Sequence, residues 1–325
     1  MLLSFNRRAA LVTTLAAPAL LSIPRPVYAA PPQRGVQMPG AYRTRVGAFE
    51  LTTLLDGELR REIDEGLITN VPMEEVRATL EAELQPTGYY DNHFNFTAIN
   101  TGDQLILIDV GTGGHFDPSI DQGAANMAAA GIDRADVDLI VHTHFHIDHV
   151  GGLIDMEGRP LFPNAQVFFP EIDYRLVTDT SAVSGMNPFM RRMADHAVRA
   201  LGAYDGRLDL YGEGQQFAPG LSAIASHGHT PGHMSIHVES EGEELIVLGD
   251  SIGFPELFVA NPGWQMAFDG DQVAAAETRM RLLDRIAADG ARIVGYHFTF
   301  PGIGRASRQG DGYRFHPEKW RGEFG

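Results

Sequence analysis

HTHFHIDHVGG, residues 142–152, carries four histidines and an aspartate within eight positions. The stretch follows the apolar run Leu139–Val141 and ends on a glycine pair. The chain has 13 histidines among 325 residues, and three more of them fall in SHGHTPGH, residues 226–233. A strand ending in a polar loop is where layered α/β proteins place their chemistry. In extended chain the side chains at i and i+2 point the same way, so His144 and His146 can converge on one ion. Asp148 and His149 come after the chain turns, so they point elsewhere and suit a second ion. Gly151 and Gly152 let the backbone pack closely where the next segment begins. His142, nearest the strand, is read as a packing residue.

Composition narrows the classes that remain. The chain is 44% hydrophobic and 21% charged, enough to bury a substantial core. Its net charge is −17, and residues 1–30 contribute three arginines and no acid, so the remainder is more acidic still. Such a surface repels phosphate backbones and anionic lipid, which argues against nucleic-acid or membrane partners. There is no cysteine, so disulfides, thiolate ligands and a cysteine nucleophile are excluded together. Any metal site must be built from histidines and carboxylates.

Residues 1–30 read as an export signal. Arg7 and Arg8 precede an apolar stretch, Leu11–Leu21, that is too short and too Pro-interrupted to span a bilayer. SFNRRAAL resembles a twin-arginine signal but lacks the usual Phe after the Arg pair; an ordinary secretory signal is the other reading. Both predict a periplasmic or secreted mature protein. Residues 31–46, rich in Pro and Gly, read as a leader or linker, and residues 47–325 as one domain.

Within that domain strand-like runs alternate with helical ones. Phe49–Leu55, Phe94–Asn100, Leu105–Ile108 and Leu139–Val141 form a first set of predicted strands. Val167–Phe169, Leu221–Ala225, Ser235–Glu239 and Leu245–Leu248 form a second, and Ile293–Val294 is the last. Asn100-Thr101-Gly102-Asp103 reads as a hairpin turn. Ile120–Ala130, ending at Gly131, and a segment with Val273, Met280, Leu283 and Ile286 in helical register, ending at Gly290, read as helices. The pattern predicts a layered α/β sandwich.

HTHFHIDHVGG is similar to the signature of the metallo-β-lactamase superfamily, and further landmarks follow in order. Leu107-Ile108-Asp109-Val110-Gly111 resembles its strand-Asp-Gly motif. Gly228-His229-Thr230-Pro231-Gly232-His233 resembles its third-ligand loop. Leu248-Gly249-Asp250 resembles its bridging-aspartate strand end, and His297 its last ligand. The resemblance implies a four-layer αββα sandwich over about residues 46–317 and two divalent ions per chain. Zinc is favoured, and Mn2+, Fe2+ or Co2+ are compatible with the same donors. It assigns His144, His146 and His229 to one ion, Asp148, His149 and His297 to the other, and Asp250 to both. Asp250 and Asp148 are the implied catalytic carboxylates, with Asp250 orienting a hydroxide shared between the ions. Asp109 is implied to hold a ligand histidine in its tautomer, and His233 to support the ligand loop. His227 mimics a chelating pair with His229, but the family pattern favours His229 alone.

Within the superfamily, ASHGHTPGH (225–233), VESEGEELIVLGD (238–250), HFTFPGIGRASRQGDGYRF (297–315) and LFPNAQV (161–167) resemble methyl-parathion-hydrolase-like enzymes. That resemblance implies an organophosphate triester or aryl ester as substrate, with Phe116 and Phe189 lining an aromatic pocket. Arg175 departs from it, standing where the resemblance implies a pocket Trp. The expected polar wall leaves a lactonase, including one for acyl-homoserine lactones, as the alternative. A metal-dependent oxygenase and a non-catalytic metal-binding protein are the readings from other classes. The expected partner is a small-molecule substrate, and a homodimer is left open.

Overall fold

The structure, a computed structural model, describes residue 35 and residues 37–322. The export segment read over residues 1–30 lies outside the described residues. The described strands form two seven-stranded sheets. In the first, β1 (Ala41–Val46), β2 (Phe49–Glu62), β3 (Tyr89–Asn100), β4 (Leu105–Ile108), β5 (Leu139–Val141), β6 (Gln166–Pro170) and β7 (Leu208–Tyr211) lie side by side in chain order. Pairing is antiparallel as far as β4 and parallel beyond it. In the second, β8 (Gln216–Ala218), β9 (Leu221–Ala225), β10 (Met234–Ser240), β11 (Glu243–Val247), β12 (Arg292–Val294), β13 (Ile303–Gln309) and β14 (Gly312–Pro317) are again neighbours in order. Here only β11 and β12 run parallel, joined by a helical crossover.

Seven α-helices are described: α1 (Met73–Ala82), α2 (Gly123–Ala129), α3 (Ile147–Val150), α4 (Glu171–Thr178), α5 (Thr180–Gly185), α6 (Pro188–Gly202) and α7 (Gln272–Asp289). Strand periodicity explains the layering. Along LILI of β4, Ile106 and Ile108 face the second sheet, meeting Ile236 and Val247, while Leu107 faces the helices. Both faces are covered, so the run is continuously apolar rather than alternating. Outside the first sheet, Met127 of α2, Val150 of α3 and Ala197 and Leu201 of α6 complete one core. Outside the second, Val76 and Leu80 of α1 and Leu282, Leu283 and Ile286 of α7 complete another. The result is the expected four-layer αββα sandwich.

Five local expectations change. Val167–Phe169, read with the second set, lies in β6 of the first sheet, parallel to β5 and β7. Residues 41–46, read as linker, are strand β1, zipped to β2 from Ala41↔Leu54 to Val46↔Phe49; tertiary pairing outweighs the Pro/Gly-rich approach. Ile293–Val294 is not the last strand, because β13 and β14 follow and pair on its outer side. The predicted helix from Ile120 starts at Gly123, whose N–H is taken by the buried Asp56 carboxylate at 2.8 Å. In α7, Leu283 and Ile286 are buried as expected, but Val273 and Met280 are exposed. The inward face of that helix carries Ala275, Ala276 and the buried Arg279 instead.

The strand ends carry the candidate site. The loops after β4, β5, β9, β11 and β12 hold Asp109, His142–His149, His229, Asp250 and His297 respectively. The glycine pair fixes how closely two of these loops approach. A methyl group on Gly152 would lie 2.2 Å from the carbonyl oxygen of Val110, and one on Gly151 2.1 Å from that of Thr112. Gly152→Ala is therefore expected to lower unfolding free energy by about 1–3 kcal/mol, the usual cost of overpacking. Denaturant titration checks this, and an unchanged midpoint would contradict the close packing.

Candidate metal centre

Asp250 stands at the middle of the cluster. Its Oδ2 lies 3.2 Å from Nε2 of both His229 and His297, and its Oδ1 lies 3.2 Å from Nε2 of His149. His146 Nδ1 is 3.0 Å from His229 Nε2, and His144 Nε2 is 3.9 Å from Asp250 Oδ2. Asp148 Oδ2 lies 3.6 Å from His149 Nε2 and 3.5 Å from His297 Nε2. Two groups result: His144, His146, His229 and Asp250, and Asp148, His149, His297 and Asp250. Within each, one ligand atom per residue lies within 4.8 Å of all the others. The sequence-derived division of the seven residues, with Asp250 common to both, has the same membership.

Tautomers show whether the cluster suits a pair of cations. His149 Nδ1 is 2.8 Å from Asp109 Oδ2, His229 Nδ1 is 2.9 Å from Asp269 Oδ1, and His297 Nδ1 is 2.8 Å from the carbonyl oxygen of His93. These acceptors take an N–H from Nδ1 and leave each Nε2 lone pair facing inward. Thr143 donates its hydroxyl to Asp109 Oδ2, so its oxygen can accept the Nδ1–H of His144, 3.0 Å away. The inward-facing Nε2 atoms of His144 and His149 and Oδ1 of Asp250 are buried without a hydrogen-bond partner. Unpaired buried acceptors are costly, and aimed at one space they fit divalent cations of the zinc type.

Charge adds to the case. Burial opposes the ionisation of Asp250, yet His297 and His149 hold its carboxyl well below the ordinary range. Burial would lower His229 and His297 too, but Asp250 and Asp269 together outweigh it at His229, and Asp250 and Asp148 together at His297. Their pKa values rise to about 10 and about 9. His146 is instead pushed down to about 3 by burial and by His229 beside it.

The supporting residues are only partly those expected. Asp109 receives Thr143 N–H at 2.8 Å as well as His149, and its backbone sits in the left-handed region at φ 60°. A non-glycine residue there is strained, and the hydrogen bonds on its carboxylate hold it in place. His233 accepts Asp250 N–H on Nε2 at 2.9 Å and meets Ser226 Oγ through Nδ1 at 2.8 Å, so it fixes the shared carboxylate's backbone. His227 is outside both ligand groups, and its carbonyl accepts from Thr278. His142 is fully buried, 3.5 Å from Asp109 through Nδ1, with its carbonyl held by Tyr211.

Sequence reading missed three residues. Asp269 holds His229 and is itself held by the buried Arg279 at 3.1 Å, whose guanidinium also donates to the carbonyl of Trp264 at 2.7 Å. Asp173, in α4, accepts from Thr230 Oγ1 at 2.7 Å and Gly232 N at 2.6 Å, securing the third-ligand loop. None lies in a motif; the one available signal was a charged residue, Arg279, on the apolar face of α7.

A cavity of about 500 Å³ opens over the cluster, with His146, Asp148, His229, Asp250 and His297 at its floor. Phe116 and Phe189 are among its lining, together with Phe254 and Phe268. Phe258 and Trp264 are buried in the core outside the second sheet. Arg175 is a correction. Its side chain is 75% exposed, ion-paired to Glu171 one turn earlier, and absent from the cavity lining. Helical phase turns Asp173 inward and leaves Arg175 in solvent.

The family model for the metallo-beta-lactamase superfamily matches residues 94–297. The N-acyl homoserine lactonase AttM of Agrobacterium fabrum is 34% identical over 39% of this chain and 46% of its own length. Its counterpart in Azorhizobium caulinodans is 37% identical over 36% of this chain and 42% of its own length. The match thus spans less than half of the curated relatives. Among solved structures, hydrolase AbOPH in the beta lactamase superfamily superposes with a TM-score of 0.82 at 27% identity, over 88% of this chain and all of that one. AidC, a dizinc quorum-quenching lactonase in complex with the product N-hexnoyl-L-homoserine, also gives 0.82, at 24% identity, over 87% of this chain and 99% of that one.

Two outcomes follow from the geometry. Elemental analysis of protein purified without chelator is expected to give two ions per chain; a saturable single ion with full activity would contradict the shared Asp250. His229 and His297 keep protons below about pH 10 and 9 in the metal-free chain, and ligand histidines must be neutral. Metal uptake at neutral pH should therefore release protons, and apparent affinity should fall as pH drops. Calorimetry in buffers of different ionisation enthalpy measures that release.

Proposed function

We propose, since this chain belongs to the metallo-beta-lactamase superfamily, that it is a dinuclear metal-dependent hydrolase of lactones, of the N-acyl homoserine lactone class. The observation that carries the reading is the shared Asp250, flanked by two histidine-rich groups, at the floor of a largely apolar cavity. Two divalent cations held there would supply a water-derived nucleophile at neutral pH and polarise an ester carbonyl. Zinc is the metal that this donor set favours.

The chain's own residues set the rest of the chemistry. Asp250 sets Oδ2 against His229 of one group and His297 of the other, and Asp109, Asp269 and the His93 carbonyl keep the imidazoles aimed inward. The aromatic and methionine lining excludes water and suits an acyl chain. Among the described residues of that lining, Tyr90 alone carries a hydroxyl. Burial pushes it up to about 12, so it keeps its proton at neutral pH and remains a hydrogen-bond donor on the cavity wall. A lactone alkoxide needs such help, whereas a phenolate does not.

Two features favour the lactone over the organophosphate triester or aryl ester expected from sequence. The lactonases among the relatives reach 37% identity, and Tyr90 offers the acid that an aryl substrate would not require. The aromatic lining keeps the aryl ester as the second reading. A panel of acyl-homoserine lactone, aryl phosphotriester, aryl ester and β-lactam on the metal-loaded protein tests the choice. The lactone should give the highest kcat/KM. Tyr90→Phe should lower lactone kcat by at least about 10-fold while sparing aryl-ester turnover. A triester preferred over every lactone would defeat the reading. Phe116→Ala and Phe189→Ala should raise KM for long acyl chains more than for short ones, because each ring supplies apolar contact.

A further inference from the structure

Beyond Asp250 the arm formed by β2 and β3 reaches over the cavity, and its burial alternates with period two. At its end Glu58, Arg60 and Glu62 are exposed while Leu59 and Arg61 turn inward. Arg60 is ion-paired with Asp91 on the outer face at 2.8 Å. Arg61 has no such counter-ion. It makes no hydrogen bond or ion pair to any described residue, and its Nε is buried without a partner. Its guanidinium lies 5.7 Å from the ring centroids of both Phe116 and Phe268 at the cavity wall. Stacking on rings leaves the in-plane N–H groups of an arginine unused.

A second unused polar group stands beside it. Asn92 lines the same cavity, and its side-chain amide has no hydrogen-bond partner among the described residues, with Oδ1 buried. The strand register pairs Arg61 with Tyr90, which puts Asn92 diagonally across on β3, two residues beyond. Diagonal neighbours on one face of an antiparallel pair are about 7–8 Å apart, a span that a planar amide bridges with hydrogen bonds at both ends. Arginine only donates, whereas a flip of the Asn92 amide offers either its acceptor or its donor.

We propose that Arg61 and Asn92 form a subsite for a secondary amide on the substrate, Arg61 donating to its carbonyl oxygen and Asn92 accepting its N–H. The pair gives an otherwise apolar pocket the means to reject substrates that lack that amide, since binding them leaves both groups unpaired. The inference rests on the lactonase reading for the nature of the scissile bond, but not for the amide.

The experiment compares two lactones of equal length, an N-acyl-α-amino-γ-lactone and its all-carbon counterpart with the amide replaced by methylenes. The wild type should prefer the amide substrate. Arg61→Leu and Asn92→Leu should each cost about 10- to 100-fold in kcat/KM for that substrate, mainly through KM, and change the all-carbon lactone only a few-fold. Arg61→Lys should recover part of the loss. Equal losses on both substrates, or none on either, would overturn the subsite. If no lactone is turned over at all, the lactonase reading fails by itself. The same comparison then runs on phenyl esters with and without an acylamino group, where an amide-specific loss supports the subsite and an equal loss overturns it.

Discussion

A buried carboxylate ringed by imidazoles cannot be held together as an apolar core is. Every nitrogen that turns inward must be freed of its proton, and every nitrogen that turns outward must give its proton to something. At Asp250 the outward side is solved one residue at a time: Asp109 for His149, Asp269 for His229, the carbonyl of His93 for His297, and Thr143 for His144. Those acceptors come from the loop after β4, from the loop before α7, from β3 and from the histidine loop itself. The site therefore depends on both sheets being in register, and the sandwich is the frame that allows such acceptors to converge.

The same requirement explains the costly features around it. Asp109 accepts a left-handed backbone because its carboxylate must reach both the Thr143 N–H and His149. Arg279 is an arginine buried on the inner face of α7 because Asp269 would otherwise be an unpaired charge in the interior. Its other donors go to the carbonyls of Pro262 and Trp264, and its plane lies 4.4 Å from the Phe258 ring. Breaking either partner would leave the other charge stranded beside His229.

Much of this could be read in the chain. Short ranges of apolar residues with turn punctuation marked β4, β5 and β9 with the bounds that the structure gives them. The ligand histidines and Asp250 were legible because they sit in compact motifs at strand ends. The acceptors were not, apart from Asp109 and His233 in those motifs. Asp269 and Asp173 act across 40 and 57 residues of chain on His229 and Thr230, so no local spacing announces them. Arg175 was misplaced for a related reason: alignment to an expected pocket position cannot fix helical phase, and two positions along α4 separate an inward carboxylate from a solvated guanidinium. Strand β1 was hidden because its approach is Pro- and Gly-rich while its stability comes from pairing with β2.

The cavity wall above the cluster belongs to a part of the fold that contributes no ligand side chain. The far ends of β2 and β3 extend past the bulge at Leu55 and Gly57, which bends the arm over the cavity. From it Tyr90, Asn92 and Phe94 come down at alternate positions of one strand, with Arg61 beside them. Phe94 packs edge-on against the His297 ring at 5.2 Å, so the arm is anchored to the metal cluster at its inner end. The outer end faces Phe268, which is 46% exposed. An arm fixed at the chemistry and open at the rim can vary its inward residues without disturbing the ligands. Residues at alternate positions on that arm thus shape the cavity wall independently of the imidazole-to-acceptor pairs that hold the cluster.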